Sequence, residues 1–284
     1  MTADKLLCGL IGAGIQQSLT PAMQEEEARR QGVRLHYQLI DLDRTPGSAG
    51  QLPALLTAAR IMGFAGLNIT FPCKQAVLPL LDDLSPEARE MGAVNTVVNR
   101  DGHLVGHNTD GSGWAWGFRR SMPDADLSRV VLLGAGGAGS AVADAACRMG
   151  VGELRIVDVD PARAQALAEA INRRFGPRAA AFSSVTAALA DATGLIHATP
   201  TGMAKQPGLP LPAALLRPSL WVSEIVYFPI ETELLKAARA AGCRTVDGGT
   251  MAVGQAIGAY KLFTGRTADP ARVERHFRSL LAAR

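Results

Sequence analysis

Gly134, Gly136 and Gly139 stand in the spacing G-x-G-x-x-G within the run "SRVVLLGAGGAGSAVADAACRMG". An apolar stretch precedes them and a helical pattern follows, so the turn joins a strand to a helix. Glycines there allow a tight turn and close approach of backbone to a phosphate, while the helix N-terminus supplies N–H donors. Gly134, Ala135, Gly136, Gly137, Ala138 and Gly139 are therefore the expected seat of a pyrophosphate. Asp158 closes the next strand about 20 residues on, where an acid can bind an adenosine ribose. With all these conditions met, a dinucleotide site is the stronger reading than a structural turn.

The same strand end bears on cofactor choice. A 2′-phosphate carries roughly two negative charges and needs cations around it. This chain offers Asp158, Val159 and Asp160, and its nearby cation, Arg163, falls within the following helix. The Asp158 carboxylate can accept hydrogen bonds from both ribose hydroxyls and would repel a phosphate. NAD is expected over NADP.

A nicotinamide cofactor needs a partner group that moves the alcohol proton while hydride moves. A zinc ion or a positioned acid–base side chain can do this. Cys8, Cys73, Cys147 and Cys243 are scattered without CxxC spacing, so no metal is expected and reduced thiols in a cytoplasmic protein are. The acid–base candidate lies in "GLNITFPCKQAVLPLL", Gly66 to Leu81. It reads as a strand to Thr70, a helix with Pro72 at its first position, and Lys74 in the first turn. A helix N-terminus disfavours an ammonium and, with partial burial, favours a lysine that exchanges its proton. Taken alone, an exposed lysine is the commoner explanation.

The elements that must position these residues alternate along the chain. "LLCGLIGAG", "HYQLID" and "GLNIT" read as strands separated by helical patterns, an order that predicts a parallel sheet with crossover helices. A second α/β block starts at "SRVVLLGAGG" and continues through "ELRIVD", a helix capped by Asp160 with Pro161 after it, "GLIHATP", "LWVSEIV" and "CRTV". "NTDGSGWAWGFRRSMPDADLS" reads as the linker, helical at first. Beyond Gly249 the pattern is purely helical, and those helices are expected to return to the first domain. The fold class is thus α/β: an N-terminal α/β substrate domain (residues 1–111, with 250–284 packing back on it) and a Rossmann dinucleotide-binding domain (residues 112–249).

The bulk composition is that of an ordinary globular enzyme: 284 residues, 48% hydrophobic and 19% charged. A net charge of +3 without a dense basic tract implies no nucleic-acid partner. The N-terminal apolar run is soon interrupted by Gly12, Gly14 and polar residues, a poor signal peptide and too short to span a membrane. The expected partner is a small molecule in the cytoplasm, and the sequence leaves the oligomeric state, homodimer included, open.

Polar clusters end the apolar strands of the first block: "NITFPCK", "GAVNTVV" and "GHNTDGSG". Together with "SLTPAM", "GAGGAG", "ATPTGM", "VYFPIETELL" and "DGGTMAVGQA", in that order over nearly the whole chain, they make it resemble the shikimate dehydrogenase family, including its quinate/shikimate dehydrogenases. The resemblance implies oxidation of a ring hydroxyl of shikimate, with quinate as a further substrate, to the 3-dehydro acid. It makes Lys74 and Asp110 the catalytic pair, the lysine moving the hydroxyl proton and the aspartate holding the lysine and a neighbouring hydroxyl. It implies Ser18, Thr20 and Tyr227 at the carboxylate of this ring acid, and Asn68, Thr70, Asn95 and Gln255 at its hydroxyls. Toward the cofactor it adds Thr199, Met203, Val226, Gly248 and Met251 to the glycine loop, Asp158 and Arg163.

The chain departs from the family's pattern at Thr20, where serine is common, and at Cys73 before the lysine. Gln24 stands where histidine is common, Glu224 where aspartate is, and Leu19 where some quinate/shikimate enzymes carry arginine. His107 reads as structural. These differences bear on substrate preference and leave two rivals open: an enzyme of the same fold acting on a related cyclic acid such as an aminated shikimate, and a non-catalytic sensor of NAD and a ring acid.

Overall fold

A computed structural model describes residues 5–44 and 48–283. It divides into two units: one runs to Thr109 and resumes at Val253, and the other is Asp110–Ala252.

In the first unit the strands are β1 (Lys5–Gly12), β2 (Arg34–Asp41), β3 (Gly66–Ile69), β4 (Asp83–Leu84), β5 (Thr96–Arg100) and β6 (His103–His107), with helices α1 (Thr20–Arg30), α2 (Leu52–Ile61), α3 (Cys73–Ala76) and α4 (Pro86–Met91) between them. The sheet order is β2-β1-β3-β5-β6-β4. β1 pairs in parallel with β2 and β3, as the alternating pattern predicts. Beyond β3, outside the three strands on which that expectation rests, β5 runs antiparallel to both β3 and β6. Asp101 and Gly102, with φ of 54° and 88°, make the tight turn that folds β5 back onto β6. Such a turn demands positive φ at both positions, for which Asp-Gly is suited.

The segment after β3 also differs from the helix its sequence predicts. Pro72 flanks α3 instead of opening it, and the helix is a single turn, Cys73–Ala76. A short 3-10 turn, Leu78–Leu80, follows. Pro79 explains the early stop: it has no N–H to continue the α-helical ladder.

The second unit holds β7 (Arg129–Leu133), β8 (Glu153–Val157), β9 (Ala179–Ala181), β10 (Gly194–His197), β11 (Trp221–Glu224) and β12 (Arg244–Val246), with α5 (Asp110–Ser121), α6 (Gly137–Arg148), α7 (Pro161–Phe175), α8 (Val185–Leu189) and α9 (Glu233–Ala240). All pairings are parallel, in the order β12-β11-β10-β7-β8-β9. The chain leaves β7 toward β8 and β9, then returns to place β10 on the other side of β7. That reversal puts a switch point between β7 and β10, where open α/β sheets form their ligand crevice.

The helix read as the start of a linker is part of this core. Trp114 and Phe118 of α5 are 2% and 1% exposed, and Phe118 meets Trp221 edge-on at 4.8 Å between ring centroids. Trp114 Nε1 donates to Ser223 Oγ at 3.0 Å, which satisfies both polar atoms in the interior. Gly194 yields to the Trp221 ring, since a Cβ there would fall 2.0 Å from it.

Two last helices, α10 (Gly248–Thr264) and α11 (Pro270–Ala282), carry the chain from the second unit into the first. A Cβ on Gly66 would strike Phe263 of α10 at 2.4 Å. Arg272 of α11 donates Nε and Nη2 to Glu27 of α1, each at 2.7 Å. From Val253 onward these helices belong to the first unit.

Candidate active site

In the second unit, β7 runs into the glycine loop. Gly134 has φ of 101°, and a Cβ on Gly139 would lie 2.0 Å from the Gly134 carbonyl oxygen. Gly136 precedes α6 with extended backbone, and a Cβ there would meet nothing within 4 Å. The turn is therefore closed on its protein side and open on the other, a cradle that fits a pyrophosphate against the first turn of α6, where Gly137 and Ala138 lie.

Asp158 follows β8 directly. Its Oδ2 accepts the Ala135 N–H at 2.7 Å, and its Oδ1 accepts the Asp160 N–H at 2.9 Å. Each oxygen keeps a further lone pair. Val159 is fully exposed beside it. Asp160 caps α7 by accepting the Ala162 N–H at 3.0 Å. Arg163, one turn along, lies 3.5 Å from Asp160.

The remaining residues expected at the cofactor lie beyond β10 and β11. Thr199 is half-buried, its Cγ2 3.0 Å from where a Gly134 Cβ would stand. Met203 is 43% exposed, in a turn where its N–H donates to Pro200 O at 3.1 Å. Val226 and Gly248 are together: a Cβ on Gly248 would lie 2.4 Å from the carbonyl oxygens of Ile225 and Val226. Met251 is buried in the core with Trp114 and Trp221. Tyr227 follows β11 and is half-buried.

Asp110 opens α5, at the helix end that favours a carboxylate, and is 5% exposed. Two glycine notches fix that helix. A Cβ on Gly111 would lie 2.6 Å from Ala141 O of α6, and one on Gly117 would lie 2.6 Å from Thr250.

In the first unit, Lys74 is half-buried in α3, and its carbonyl accepts the Val94 N–H at 2.9 Å. With only one helical turn, few peptide dipoles add at that point, so the local electrostatic reason read from the sequence is weaker than expected.

Asn68 and Asn95 belong to one buried network. Tyr37 OH donates to Asn68 Oδ1 at 2.7 Å. Asn68 Nδ2 donates to Thr96 Oγ1 at 3.0 Å and to Asn95 O at 3.2 Å. Asn95 Oδ1 accepts the Thr109 N–H at 2.8 Å, and its Nδ2 donates to Thr109 Oγ1 at 2.9 Å. Both carboxamides are thereby held in single orientations, with one oxygen lone pair of Asn68 beyond these bonds.

Thr70 is half-buried after β3, its Cγ2 2.2 Å from where a Gly12 Cβ would stand. Ser18 Oγ accepts the Thr20 N–H at 3.3 Å. Gln255 is half-buried on α10. Gln24 is buried and donates to the carbonyl of Ala256 at 2.9 Å, so the residue that departs from the family's histidine holds α10. Burial pushes the His107 imidazole below its ordinary value, against the opposing pull of Glu87.

One cluster escaped the sequence reading. His197 and Glu224 are 0% and 1% exposed and lie opposite one another in the register of β10 and β11. His197 Nδ1 is 2.8 Å from Glu224 Oε1. A histidine ending the apolar strand "GLIH" needs a polar partner when buried, and that requirement was the available signal.

Among the described residues no group of three His, Cys, Asp or Glu could hold a metal ion, and no helix is long and apolar enough to cross a membrane.

Residues 10–97 match the model for the shikimate dehydrogenase substrate binding domain, and residues 119–168, around the glycine loop, match that of the ThiF family. The chain is 59% identical to a shikimate dehydrogenase (NADP(+)) of Streptomyces avermitilis, over 96% of this chain and 95% of the relative. It is 50% identical to a quinate/shikimate dehydrogenase (NAD(+)) of Corynebacterium efficiens, over 99% of this chain and all of the relative. Quinate dehydrogenase from Corynebacterium glutamicum, solved in complex with NAD, superimposes with a TM-score of 0.91 at 48% identity, covering 97% of this chain and 99% of that one. The glycine cradle, the acid after β8 and the ordered polar motifs thus occur in a chain related over its full length to these enzymes, and it belongs to the shikimate dehydrogenase family.

Proposed function

We propose that this chain is an NAD-dependent dehydrogenase that oxidises a ring hydroxyl of shikimate, and of quinate, to the 3-dehydro acid. The observation that carries the cofactor reading is the acidic end of β8. Asp158 keeps lone pairs for ribose hydroxyls, Val159 offers no charge, and Arg163 lies beside Asp160. The relatives named for NAD support that choice; the Streptomyces relative is named for NADP, so the choice rests first on the residues of this chain.

NAD supplies the hydride acceptor. Lys74 takes the hydroxyl proton in oxidation and returns it in reduction, with Asp110 as its carboxylate partner in the proton transfer. Ser18, Thr20 and Tyr227 donate to the substrate carboxylate. Thr70, Asn95 and Gln255 bind ring hydroxyls, and Asn68 Oδ1 accepts a hydrogen bond from a hydroxyl on its remaining lone pair. A polyhydroxylated acid is best discriminated by such fixed polar groups, because a wrong ligand leaves them unpaired. The four free cysteines are all buried, which fits work in the reducing cytoplasm.

The test is the initial rate of cofactor reduction with shikimate and quinate, each against NAD and NADP. Turnover of shikimate with NAD supports the proposal. A clear NADP preference overturns the cofactor assignment, and absence of turnover with either acid overturns the reaction.

A further inference from the structure

The buried pair at the ends of β10 and β11 is more than a couple. Glu224 Oε1 accepts the N–H groups of Ile225 and Val226 at 2.8 and 3.0 Å, and Oε2 accepts the Thr232 hydroxyl at 2.9 Å. The carboxylate is an acceptor throughout, so the His197 Nδ1 facing it at 2.8 Å carries hydrogen. In the neutral imidazole Nε2 is then the acceptor, and the atom it faces, at 2.5 Å, is Thr199 Oγ1. With that single ring hydrogen on Nδ1, Thr199 gives its hydroxyl hydrogen to His197. What it has left to offer is lone pairs, one of them facing the Thr201 N–H at 3.3 Å.

Thr199 follows β10 at the switch point, with its methyl against the backbone of Gly134. Asp158 marks the adenosine side of the glycine loop, over β8. With the pyrophosphate at the N-terminus of α6, the other half of a dinucleotide must extend over the ends of β10 and β11. The half-buried Thr199 lies on that path.

We propose that Glu224 and His197 are positioning residues that act through Thr199, making its hydroxyl a hydrogen-bond acceptor selective for the carboxamide N–H of the nicotinamide. A ring bearing a carboxylate in place of the carboxamide presents only acceptors to it and is rejected. A nicotinamide ring held by its carboxamide is fixed in rotation, and this determines which face of the ring meets the substrate. The proposal rests on the reading of this unit as an NAD site.

The experiment is calorimetric titration of the purified protein with three ligands: NAD, its nicotinic acid analogue deamido-NAD, and ADP-ribose, which lacks the ring. The expected result is that deamido-NAD binds about tenfold more weakly than NAD, the scale of one well-placed hydrogen bond. Thr199→Val, which keeps the shape of this half-buried side chain, should bring the two within about twofold and leave ADP-ribose affinity unchanged. His197→Phe frees the Thr199 hydroxyl to donate and should shift the ratio toward deamido-NAD. Should that variant fail to fold, Thr199→Val carries the test. An unchanged NAD to deamido-NAD ratio in Thr199→Val overturns the proposal alone, as does an equal loss of NAD and ADP-ribose affinity. If the unaltered protein binds neither NAD nor ADP-ribose, the dinucleotide reading itself falls, and the proposal with it.

Discussion

Asp158 Oδ2 accepts the Ala135 N–H at 2.7 Å, so the acid after β8 fastens the glycine loop after β7. In the proposed site one carboxylate would thus both shape the glycine loop and offer lone pairs to a ribose. Asp158→Ala should weaken NAD binding by about tenfold or more, the scale of losing hydrogen bonds to a charged acceptor. NADP binding should weaken less, since a negative charge near its phosphate is removed. Dissociation constants for both cofactors check this. Equal losses would mean that Asp158 serves the loop alone.

Lys74→Ala should lower kcat by about 10²- to 10⁴-fold, the usual contribution of a general acid–base group. NAD affinity should stay within about twofold, because Lys74 belongs to the first unit and the glycine cradle to the second. Steady-state rates and NAD titration separate the two quantities. A parallel loss of NAD binding would contradict the proposed role.

Between Ser18→Ala and Thr20→Ala, at least one should raise the KM for shikimate by about 5- to 100-fold, the scale of a hydrogen bond to a charged group. The kcat should change less than KM if the contact binds ground and transition states alike. Ser18 Oγ already accepts the Thr20 N–H at 3.3 Å, so its hydroxyl hydrogen is the part on offer to a carboxylate. Unchanged KM in both variants would remove this contact from the account.

The join of α11 to α1 carries a pH signature. Glu27 is buried and receives Arg272, Gln31 and the Asp269 N–H. Burial pushes its carboxyl up, but these donors outweigh that and hold it below the ordinary 4.5. A lowered carboxyl adds stability that is complete above the ordinary value and is lost as pH falls through the folded one. Glu27→Gln should cost about 1–3 kcal/mol at neutral pH, discounted because Arg272 is partly exposed. Urea midpoints should show a constant gap above the ordinary carboxyl value that closes as pH falls below it. A gap that does not narrow would contradict the assignment.

The parts of the fold legible in the sequence are those set by local chemistry. The glycine loop and the Asp160 cap with Pro161 behind it each depend on residues a few positions apart, and each is found where its pattern predicts. The helical tail was legible because no strand pattern competes with it. What escaped depends on partners distant in sequence or on the fate of one residue. The antiparallel β5–β6 hairpin turns on Asp101 and Gly102, a local Asp-Gly signal outside the three strands that predict the parallel pairing. The length of α3 was set by Pro79. The His197–Glu224 pair requires the register of β10 against β11, and the Asn68–Asn95–Thr109 network requires the strands that carry it to be adjacent. Hydrophobic periodicity reports which face of a strand is buried, not which strand lies beside it.

The most direct test of the central claim is isotopic. Shikimate carrying deuterium on the carbinol carbon that is oxidised would be turned over with NAD, and the reduced cofactor examined by mass spectrometry and proton NMR. The account predicts one deuterium per reduced cofactor, at one face of the ring, with Lys74→Ala suppressing its formation. Reduced cofactor without deuterium, or no reduction of NAD while the ring acid is bound, would contradict it.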